Sequence, residues 1–372
     1  MSLKQIEKKV LSGKRLSPED ALELFNSNDI FTAGRLAAHV ARSKNGDRAY
    51  FIRNHHINPS NICVNRCRFC AFSRSEGDRG AYELSIKEII SKIRKWYSTA
   101  DDKGTQRRGK NGSEVYREVH IVGGLHPHRP FDYYLQMLSE IRRRFPGLHI
   151  KAFTAVEIDY FSKISGLSLR DTLLALKKAG LGSMPGGGAE IFNGRVRNKL
   201  CPEKISGARW LRIMETAHRA GIRSNATMLY GHIETYRHRV EHMLKLRDLQ
   251  DRTGGFQAFI PLAFHPVNTK IPGAKYTSGT DDLMTIAVSR LFLDNFPHIK
   301  AYWIMLGEKI AQLALLFGAD DLDGTIIEEK ITHSAGALSG NAMSKAALVN
   351  LIEKAGRVAV ERDSFYNARM IN

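Results

Sequence analysis

Three of the four cysteines in this 372-residue chain lie close together, at Cys63, Cys67 and Cys70, in the spacing C-x3-C-x2-C. Thiolates this close on one loop can bind a soft metal centre, and cysteines are the usual ligands of iron–sulfur clusters. A cubane cluster has four irons, so three cysteines would leave one iron without a protein ligand. The spacing therefore predicts a [4Fe-4S] cluster whose open iron can bind a small molecule and support chemistry.

A structural zinc site is the alternative interpretation of the same cysteines. Zinc accepts sulfur and nitrogen ligands, and His55 or His56 could supply the fourth one. Zinc sites, however, usually pair their cysteines as two separated C-x2-C units, a pattern that this chain lacks. Cys201 stands apart in Lys-Leu-Cys-Pro-Glu and is predicted to be a buried thiol. Four cysteines in a chain of this kind do not indicate disulfides.

The composition is ordinary for a globular protein, with 43% hydrophobic and 25% charged residues. No apolar run approaches ~20 residues, so no transmembrane span is predicted. The polar N-terminus lacks the apolar core of a signal peptide, which predicts a cytoplasmic protein. A net charge of +18 could indicate nucleic acid. The basic residues are nevertheless dispersed, and their one concentration, at 103–110, has no interleaved aromatics, so we expect no nucleic-acid partner.

Short apolar runs alternate with longer amphipathic stretches from residue 50 onward, which predicts an α/β fold of the (β/α)8 barrel type. We expect residues 1–48 to be an N-terminal helical extension, residues 49–372 to be the barrel, and residues 101–114 to be a peripheral basic insertion. The predicted strands are Tyr50–Asn58, Val115–Val122, Leu148–Ala155, Gly182–Pro185, Ser224–Tyr230, Phe256–Phe264, Lys300–Leu306 and Asp323–Ile327. The predicted helices are Ser85–Tyr97, Phe131–Arg144, Ser168–Ala179, Pro202–Ala220, Tyr236–Arg252, Thr280–Asn295, Glu308–Leu316 and Ser344–Ala355.

Glycine and polar residues gather where the predicted strands end, which is where the active site of such a barrel lies. Glycines there let a ligand approach the backbone closely. A carboxylate at a strand end can hydrogen-bond a ribose or an amine, or can instead cap the following helix. The residues predicted at this face are Gly123, Gly124, Glu157, Gly187, Glu190, His232 and His265, with Tyr230 and Arg197 as further candidates.

The cysteine spacing, with the aromatic Phe69 before the last cysteine, resembles the signature of the radical S-adenosylmethionine (SAM) enzymes. The runs at 186–191, 196–197 and 230–234 are similar to motifs of the menaquinone and deazaflavin branch of that superfamily. Within this branch, residues 120–127, 151–158 and 186–192 most resemble the aminofutalosine synthase family. The resemblance covers roughly residues 15–360 and is interrupted at 101–114.

This resemblance implies a SAM-binding [4Fe-4S] cluster in a TIM-type barrel, with SAM consumed as a co-substrate. It implies that the 5′-deoxyadenosyl radical adds to 3-[(1-carboxyvinyl)oxy]benzoate, a dianion, giving 6-amino-6-deoxyfutalosine, bicarbonate and methionine in menaquinone biosynthesis. It also implies an external one-electron reductant of the flavodoxin or ferredoxin type. The cluster ligands would be Cys63, Cys67 and Cys70; the cofactor contacts would be Phe69, Gly123, Gly124, Glu157, Gly187, Glu190 and His232; and the catalytic candidates would be His265, Tyr230 and Arg197.

Other functions remain open at this point. The same branch contains the cyclic dehypoxanthinylfutalosine synthase and deazaflavin-forming enzymes, which use the radical to abstract hydrogen. An iron–sulfur electron carrier or a zinc-stabilised binding module would be a non-enzyme alternative. A simple carrier, however, has no need of glycine-rich loops at the ends of several further strands.

Overall fold

A computed structural model describes residues 2–98 and 117–370 of the chain, so the predicted insertion at 101–114 lies outside the described residues. The strands are β1 Arg48–Ile57, β2 Arg117–Ile121, β3 His149–Ala152, β4 Ser183–Met184, β5 Arg223–Tyr230, β6 Phe256–Ala263, β7 His298–Ile299, β8 Asp321–Gly324, β9 Val358–Arg362 and β10 Ala368–Met370. The helices are α1 Leu3–Leu11, α2 Pro18–Asn26, α3 Ile30–Asn45, α4 Ile86–Ser98, α5 Phe131–Arg144, α6 Ala155–Ser165, α7 Leu169–Ala179, α8 Gly194–Leu200, α9 Gly207–Arg219, α10 Tyr236–Thr253, α11 Gly279–Phe292, α12 Trp303–Ala314, α13 Ile331–Ser334 and α14 Lys345–Lys354.

Strands β1 to β8 form the predicted barrel. Neighbouring strands from β1 to β7 pair in parallel in chain order, for example through His56 opposite His120. Strand β8 pairs with β1, and a bridge between Lys300 and Asp321 joins β8 to the end of β7. The eight parallel strands therefore close into a ring, and all of their carboxyl ends open on the same side.

Some predicted boundaries were wrong, and the reasons are local. Residues 303–306 were assigned to the seventh strand, but Trp303 begins helix α12, because a short apolar run fits either a strand or a buried helix. Strand β8 begins at Asp321, two residues earlier than predicted. Helix α6 was missed, although Thr154 and Glu157 form a capping box that marks its start. The predicted helix 202–220 is α9 alone, which begins at Gly207.

The N-terminal extension consists of helices α1 to α3. Helix α2 starts as its sequence predicts, with Ser17 as N-cap, Pro18 in the first turn and the side chain of Ser17 accepting a hydrogen bond from the amide of Asp20. Helices α2 and α3 pack on α10 and α11. Helix α11 is consequently covered on both sides, and every residue from Asp282 to Phe292 is buried. The division of the chain at residue 48 stays a prediction.

A C-terminal segment that was not predicted closes the amino-terminal end of the barrel. Strand β9 pairs in parallel with the start of β1, and β10 pairs antiparallel with β9. At the end of β9, the Arg362 guanidinium reaches the Asp321 carboxylate at 2.7 Å, and both side chains are fully buried. The hydroxyl of Ser364 donates to Glu118 at 2.6 Å, and Glu118 also pairs with Lys151 at 2.7 Å. The charged side chains inside the amino-terminal end of the barrel are therefore buried as oppositely charged or hydrogen-bonded pairs.

Among the described residues, no helix combines the length and the apolar character that crossing a bilayer requires.

The buried ion pair of Arg362 and Asp321 yields a stability prediction. Replacing Arg362 with Met should lower the free energy of unfolding by about 3–5 kcal/mol, because Asp321 would keep a buried charge without its partner. The matched control is Arg143→Met, which removes an exposed pair with Glu140 that solvent already screens. Chemical denaturation of both variants measures the difference. Equal losses in the two variants would contradict this account, and Arg362→Met/Asp321→Asn should recover part of the loss.

Candidate active site

The cysteine loop follows β1 and is held by backbone hydrogen bonds on both sides. The amide of Cys63 donates to the carbonyl of Arg74 at 3.0 Å, and the amide of Val64 donates to Leu125 at 3.0 Å. Within the loop, the amide of Cys70 donates to the carbonyl of Cys67 at 3.1 Å. The loop is therefore folded back over the mouth of the barrel, with its three cysteines on one short stretch.

The Gly123–Gly124 pair lies directly beneath this loop. A Cβ on Gly124 would stand 2.2 Å from the carbonyl oxygen of Ile62, and one on Gly123 would stand 3.0 Å from that of Ser60. The amide of Gly124 also donates to Ser60 at 2.8 Å. Both glycines line the cavity described next, but their first requirement is the close approach of the cysteine loop.

A cavity of about 310 Å³ opens at the carboxyl ends of the strands, and all three cysteines line it. Phe69 lines it as well, and the predicted Gly123, Gly124, Glu157, Gly187, Glu190 and His265 share the same walls. The structure therefore brings together the cysteine loop and most of the residues that were predicted at this face. Their clustering follows from the barrel, because parallel strands present their ends together.

The three cysteines fit an iron–sulfur cluster in donor type and in placement. All are free thiols, and burial raises the pKa of Cys67 to about 12 and also raises that of Cys63. A metal must therefore displace their protons, as cluster assembly does. Among the described residues, no three His, Cys, Asp or Glu side chains converge on a single ion. A cubane does not require such convergence, because each thiolate binds a different iron.

Lys204 is a residue of the cavity that the sequence interpretation missed. Its ammonium group lies 2.5 Å from the Glu190 carboxylate and 4.8 Å from the centre of the Phe69 ring. Burial alone would raise the pKa of Glu190, but the adjacent Lys204 outweighs this and lowers it. The same surroundings, including Cys67, raise the pKa of Lys204 despite its burial. A fixed cation thus stands beside the cysteines, in a segment predicted as plain helix.

Glu190 also has an unusual backbone. Its φ of +47° lies in the left-handed region that few non-glycine residues adopt. The carbonyl of Glu190 accepts a hydrogen bond from Leu229 of β5 at 2.9 Å, and its side chain is held by Lys204. These contacts hold a strained residue in the wall of the cavity, a pattern that is common at functional sites.

Glu157 serves as a helix cap and as a cross-link at the same time. It accepts hydrogen bonds from the amide of Thr154 at 2.7 Å and from the amide of Gly123 at 3.2 Å. Burial raises the pKa of Glu157 to about 7, although these amides favour its charged form. The carboxylate therefore joins the end of β2 to the start of α6 and still faces the cavity.

The glycine run 186–188 forms one wall of the cavity. A Cβ on Gly186 would stand 2.2 Å from the carbonyl of Asn225, so this residue must be glycine for packing. Gly187 and Gly188 line the cavity itself, where a Cβ would press on Thr154 and Val156. The run is therefore closely packed, and its role as a glycine surface beneath a bulky ligand stays a prediction.

Three predicted residues do not reach the cavity. Tyr230 points to the outer side of β5, where its hydroxyl donates to Asp282 at 2.7 Å. The buried ring of His232 lies 3.0 Å from the carbonyl of Leu229 through Nε2. Arg197 donates to the carbonyls of Gly188, Ala189, Ile191 and Ile205, so it braces the glycine wall from behind.

His265 does line the cavity. Its Nε2 lies 2.9 Å from the carbonyl of Met305, and its Nδ1 is buried without a partner. The position of His265 thus agrees with the predicted clustering at this mouth. Tyr230 does not share this position, because side chains alternate along a strand. Thr227 and Leu229 of β5 face the cavity, so Tyr230 next to Leu229 faces away from it.

The floor of the cavity is polar, and its histidines were not predicted to act there. The rings of His56 and His120 lie 4.4 Å apart, and His56 Nε2 is buried without a hydrogen-bond partner. Burial lowers the pKa of His56 to about 3 and that of His120 to about 4, so both are neutral. Asp323, paired with Lys300, and Tyr302 complete this floor. The signal in the sequence was the adjacent strand pair, Asn-His-His-Ile and Val-His-Ile.

Two family models match the chain. The radical SAM superfamily matches residues 57–246, and the CofH/MqnC C-terminal region matches residues 253–372. The solved structure of methylornithine synthase has a TM-score of 0.73 at 17% identity, covering 95% of this chain and 96% of that one. At this identity the likeness shows the fold alone.

Curated relatives are similar over nearly the whole chain. Aminodeoxyfutalosine synthase of Thermus thermophilus is 47% identical over 97% of this chain and 94% of the relative. The enzyme of the same name from Streptomyces coelicolor is 42% identical over 98% and 93%. A 5-amino-6-(D-ribitylamino)uracil–L-tyrosine 4-hydroxyphenyl transferase of Methanopyrus kandleri is 40% identical over 89% and 87%. The chain therefore belongs to the radical SAM superfamily, in the branch that contains aminodeoxyfutalosine synthase.

Proposed function

We propose that this protein is an aminodeoxyfutalosine synthase of menaquinone biosynthesis. It would join the 5′-deoxyadenosyl group of SAM to 3-[(1-carboxyvinyl)oxy]benzoate, forming 6-amino-6-deoxyfutalosine with release of bicarbonate and methionine. The observation that carries the proposal is one cavity lined by three free cysteines and two glycine-rich strand ends. The two synthases that are 47% and 42% identical support the choice of reaction.

Cys63, Cys67 and Cys70 would hold the [4Fe-4S] cluster that membership of the superfamily implies. When bound, the cluster supplies the electron that cleaves SAM. Gly123, Gly124 and Gly187 would let SAM lie against the backbone, with Phe69, Glu157 and Glu190 around it. We leave His232 out of this set, because its buried ring is engaged by the carbonyl of Leu229 and does not line the cavity. The paired Lys204 would keep Glu190 charged and able to accept hydrogen bonds from SAM.

The upper walls of the cavity would protect the radical. Leu229, Ile260, Leu262 and Phe264 present apolar side chains to it. Such walls carry no thiol or other weakly bonded hydrogen, so a bound alkene held close to the radical would be its favoured reactant. An addition reaction also requires that alkene carbon to be held near contact, about 3–3.5 Å from the radical carbon. A cavity of this shape supports such a close fit.

The polar floor would bind one carboxylate of the substrate. His56 has an unused ring nitrogen there, and its neutral ring can donate a hydrogen bond to an anion at no cost in charge burial. His265 has an unused nitrogen nearer the mouth and is the candidate for a second contact. We do not retain Tyr230 or Arg197 for catalysis, because their polar groups are engaged outside the cavity.

Radical SAM enzymes act on small molecules and take electrons from an external reductant. For this chain we propose a low-potential carrier of the flavodoxin or ferredoxin type, acting on a dianionic substrate. A cytoplasmic location is part of the proposal, because a reducing compartment suits four cysteines that are all free thiols.

The first prediction concerns the cluster. Protein purified without oxygen should contain about four iron and four sulfide per chain, the content of one cubane. Replacing Cys63, Cys67 or Cys70 with Ala should remove the iron absorbance and all turnover. Cys201→Ala is the matched control and should keep both, although Cys201 is buried as Cys67 is. Stoichiometric zinc without labile sulfide would contradict the proposal.

A second prediction separates addition from hydrogen abstraction. With SAM labelled in its adenosine, turnover should place the label in a larger adenine-containing product, with bicarbonate and methionine released in equal amounts. Mass spectrometry of the product mixture measures this. Label found chiefly in free 5′-deoxyadenosine during turnover would assign the chain to its hydrogen-abstracting relatives.

A second candidate function is the 4-hydroxyphenyl transfer named for the Methanopyrus kandleri relative. The observation that favours it is the 40% identity of that relative over 89% of this chain. The same labelled assay decides between them when tyrosine and the ribitylaminouracil replace the benzoate substrate. Product formation from that pair alone would make the transferase the correct assignment. Cyclic dehypoxanthinylfutalosine formation is tested in parallel with its own substrate.

A third prediction concerns the cavity floor. His56→Phe keeps a ring beside His120 but removes the unpaired nitrogen, so we expect KM for the benzoate substrate to rise roughly 10–100-fold through the loss of a charge-assisted hydrogen bond. Iron content and SAM binding should not change. His55→Phe is the matched control, because the neighbouring ring points outward against Trp96 and should leave KM unaltered. Equal effects in both variants would argue that His56 acts only through packing.

A further inference from the structure

A second depression, of about 860 Å³, lies on the outer side of the cysteine loop and shares no lining residue with the cavity. Its walls come from four parts of the chain: the loop itself, helix α8 with the residue before it, the segment from the end of β5 into α10, and the segment after β6. Its apolar surface is formed by Val196, Leu200, Ile233, Ile271 and Pro272.

Four cations surround this apolar surface, namely Arg68, Arg195, Lys199 and Lys270. All four are exposed, and none forms an ion pair with an acid among the described residues. Asp and Glu are absent from the described lining of the depression. The depression therefore concentrates uncompensated positive charge.

The cysteine loop forms part of the wall through its own backbone. The amide of Arg68 donates to the carbonyl of Leu200 at 2.8 Å, and the carbonyl of Arg68 accepts from the amide of Lys270 at 2.6 Å. Arg68 follows Cys67 directly and precedes Cys70 by two residues. One layer of backbone thus separates the outer depression from the thiols of the cavity. The rate of electron tunnelling falls steeply with distance. A redox group bound in this depression would therefore lie close enough to a cluster on the cysteines for electron transfer.

We propose that this depression is the docking surface for a small acidic electron-carrier protein of the flavodoxin class. Such a carrier exposes the apolar edge of its flavin within a ring of carboxylates, which complements an apolar surface ringed by unpaired cations. Docking rests on the proposed function in one respect, because it requires a cluster on the three cysteines. The step is a simple electron transfer: the reduced flavin loses one electron, the cluster gains it, and no group or proton passes between the proteins.

Charge complementarity of this kind acts mainly on the rate of association. Steering by opposite charges raises association rates by about 10–1000-fold and weakens with salt. Electron-transfer complexes are also small and transient, so a shallow depression with a charged rim is sufficient. An affinity for a carrier would therefore be modest, while its dependence on ionic strength would be steep.

The test measures cluster reduction by flavodoxin hydroquinone in the reconstituted holoenzyme, by stopped-flow absorbance over a range of salt concentrations. For Arg195→Glu/Lys199→Glu we expect the second-order rate constant at low salt to fall on the order of 10-fold or more, with a flatter salt dependence. Arg170→Glu/Lys178→Glu on the outer helix α7 is the matched control, with the same change in net charge and no expected effect. Turnover driven by dithionite should be the same in wild type and both variants.

Each outcome has a defined meaning. Equal rates in the test and control variants would overturn the proposal, as would a loss of iron-normalised reduction by dithionite itself in the test variant. The neutral double variant Arg195→Gln/Lys199→Gln should lose less of the rate than the charge-reversal variant does. It tests the same positions if the charge-reversal variant fails to fold. Cluster reduction by a reduced ferredoxin is measured in parallel. If the substitutions slow reduction by ferredoxin but not by flavodoxin, the flavodoxin class is rejected. Absence of dithionite-driven turnover in the wild type would count against the proposed function and leave the docking result intact.

Discussion

The site depends on one close approach of backbone to backbone. The cysteine loop can lie over the mouth of the barrel because the end of β2 offers two residues without Cβ atoms, and a side chain on Gly124 would collide with the carbonyl of Ile62. Once seated, the loop is held by amides of Gly124 and Val64, and Glu157 ties Gly123 to helix α6. The position of the three thiols therefore follows from a steric requirement and a few hydrogen bonds, together with the burial of Cys67 in the core.

Inside the mouth, most charged groups are paired or neutral, while the Glu157 carboxyl is held by the backbone amides of Gly123 and Thr154. Lys204 and Glu190 neutralise one another in the wall, Asp323 is matched by Lys300, and the two floor histidines are neutral because burial penalises their charged forms. Unpaired charge would attract water, and water in a radical site brings side reactions. The large positive charge of the chain is placed outside this cavity, where it costs little and can act on charged partners over distance.

Much of the architecture could be predicted from periodicity, because alternating strands and helices permit few arrangements. The prediction was weakest where a short apolar run fits two structures, as at Trp303, and where pairing is with a distant segment, as for β9. For the site, strand ends were correctly identified as a group. The side that each residue faces was harder, since Tyr230 differs from Leu229 only by the alternation of a strand whose register is set by its neighbours.

Residues whose role depends on a partner distant in sequence could not be predicted either, because the sequence does not show which side chains meet. Lys204 carries no motif, and its role depends on Glu190, fourteen residues away in sequence. His56 was considered only as a zinc ligand, because the sequence could not show that its ring would meet His120 across two strands. Patterns in sequence mark where backbone must be special, as glycines and capping boxes do. They do not mark which ordinary side chains a closed barrel brings face to face, because that information lies in the closure itself.

The cysteine loop has two faces, and their difference follows from the same geometry. Its inner face lines a cavity with apolar walls and paired charges. Its outer face carries Arg68 and lies beside the cations of α8. A single strand of backbone, fixed to Leu200 and Lys270 by hydrogen bonds, separates these two environments. In the proposed docking the electron would cross this layer, while the carrier protein stays on its outer side. In the proposed function the loop would let a cluster in the cavity exchange electrons with a charged surface, and the glycine pair that seats the loop makes this separation possible.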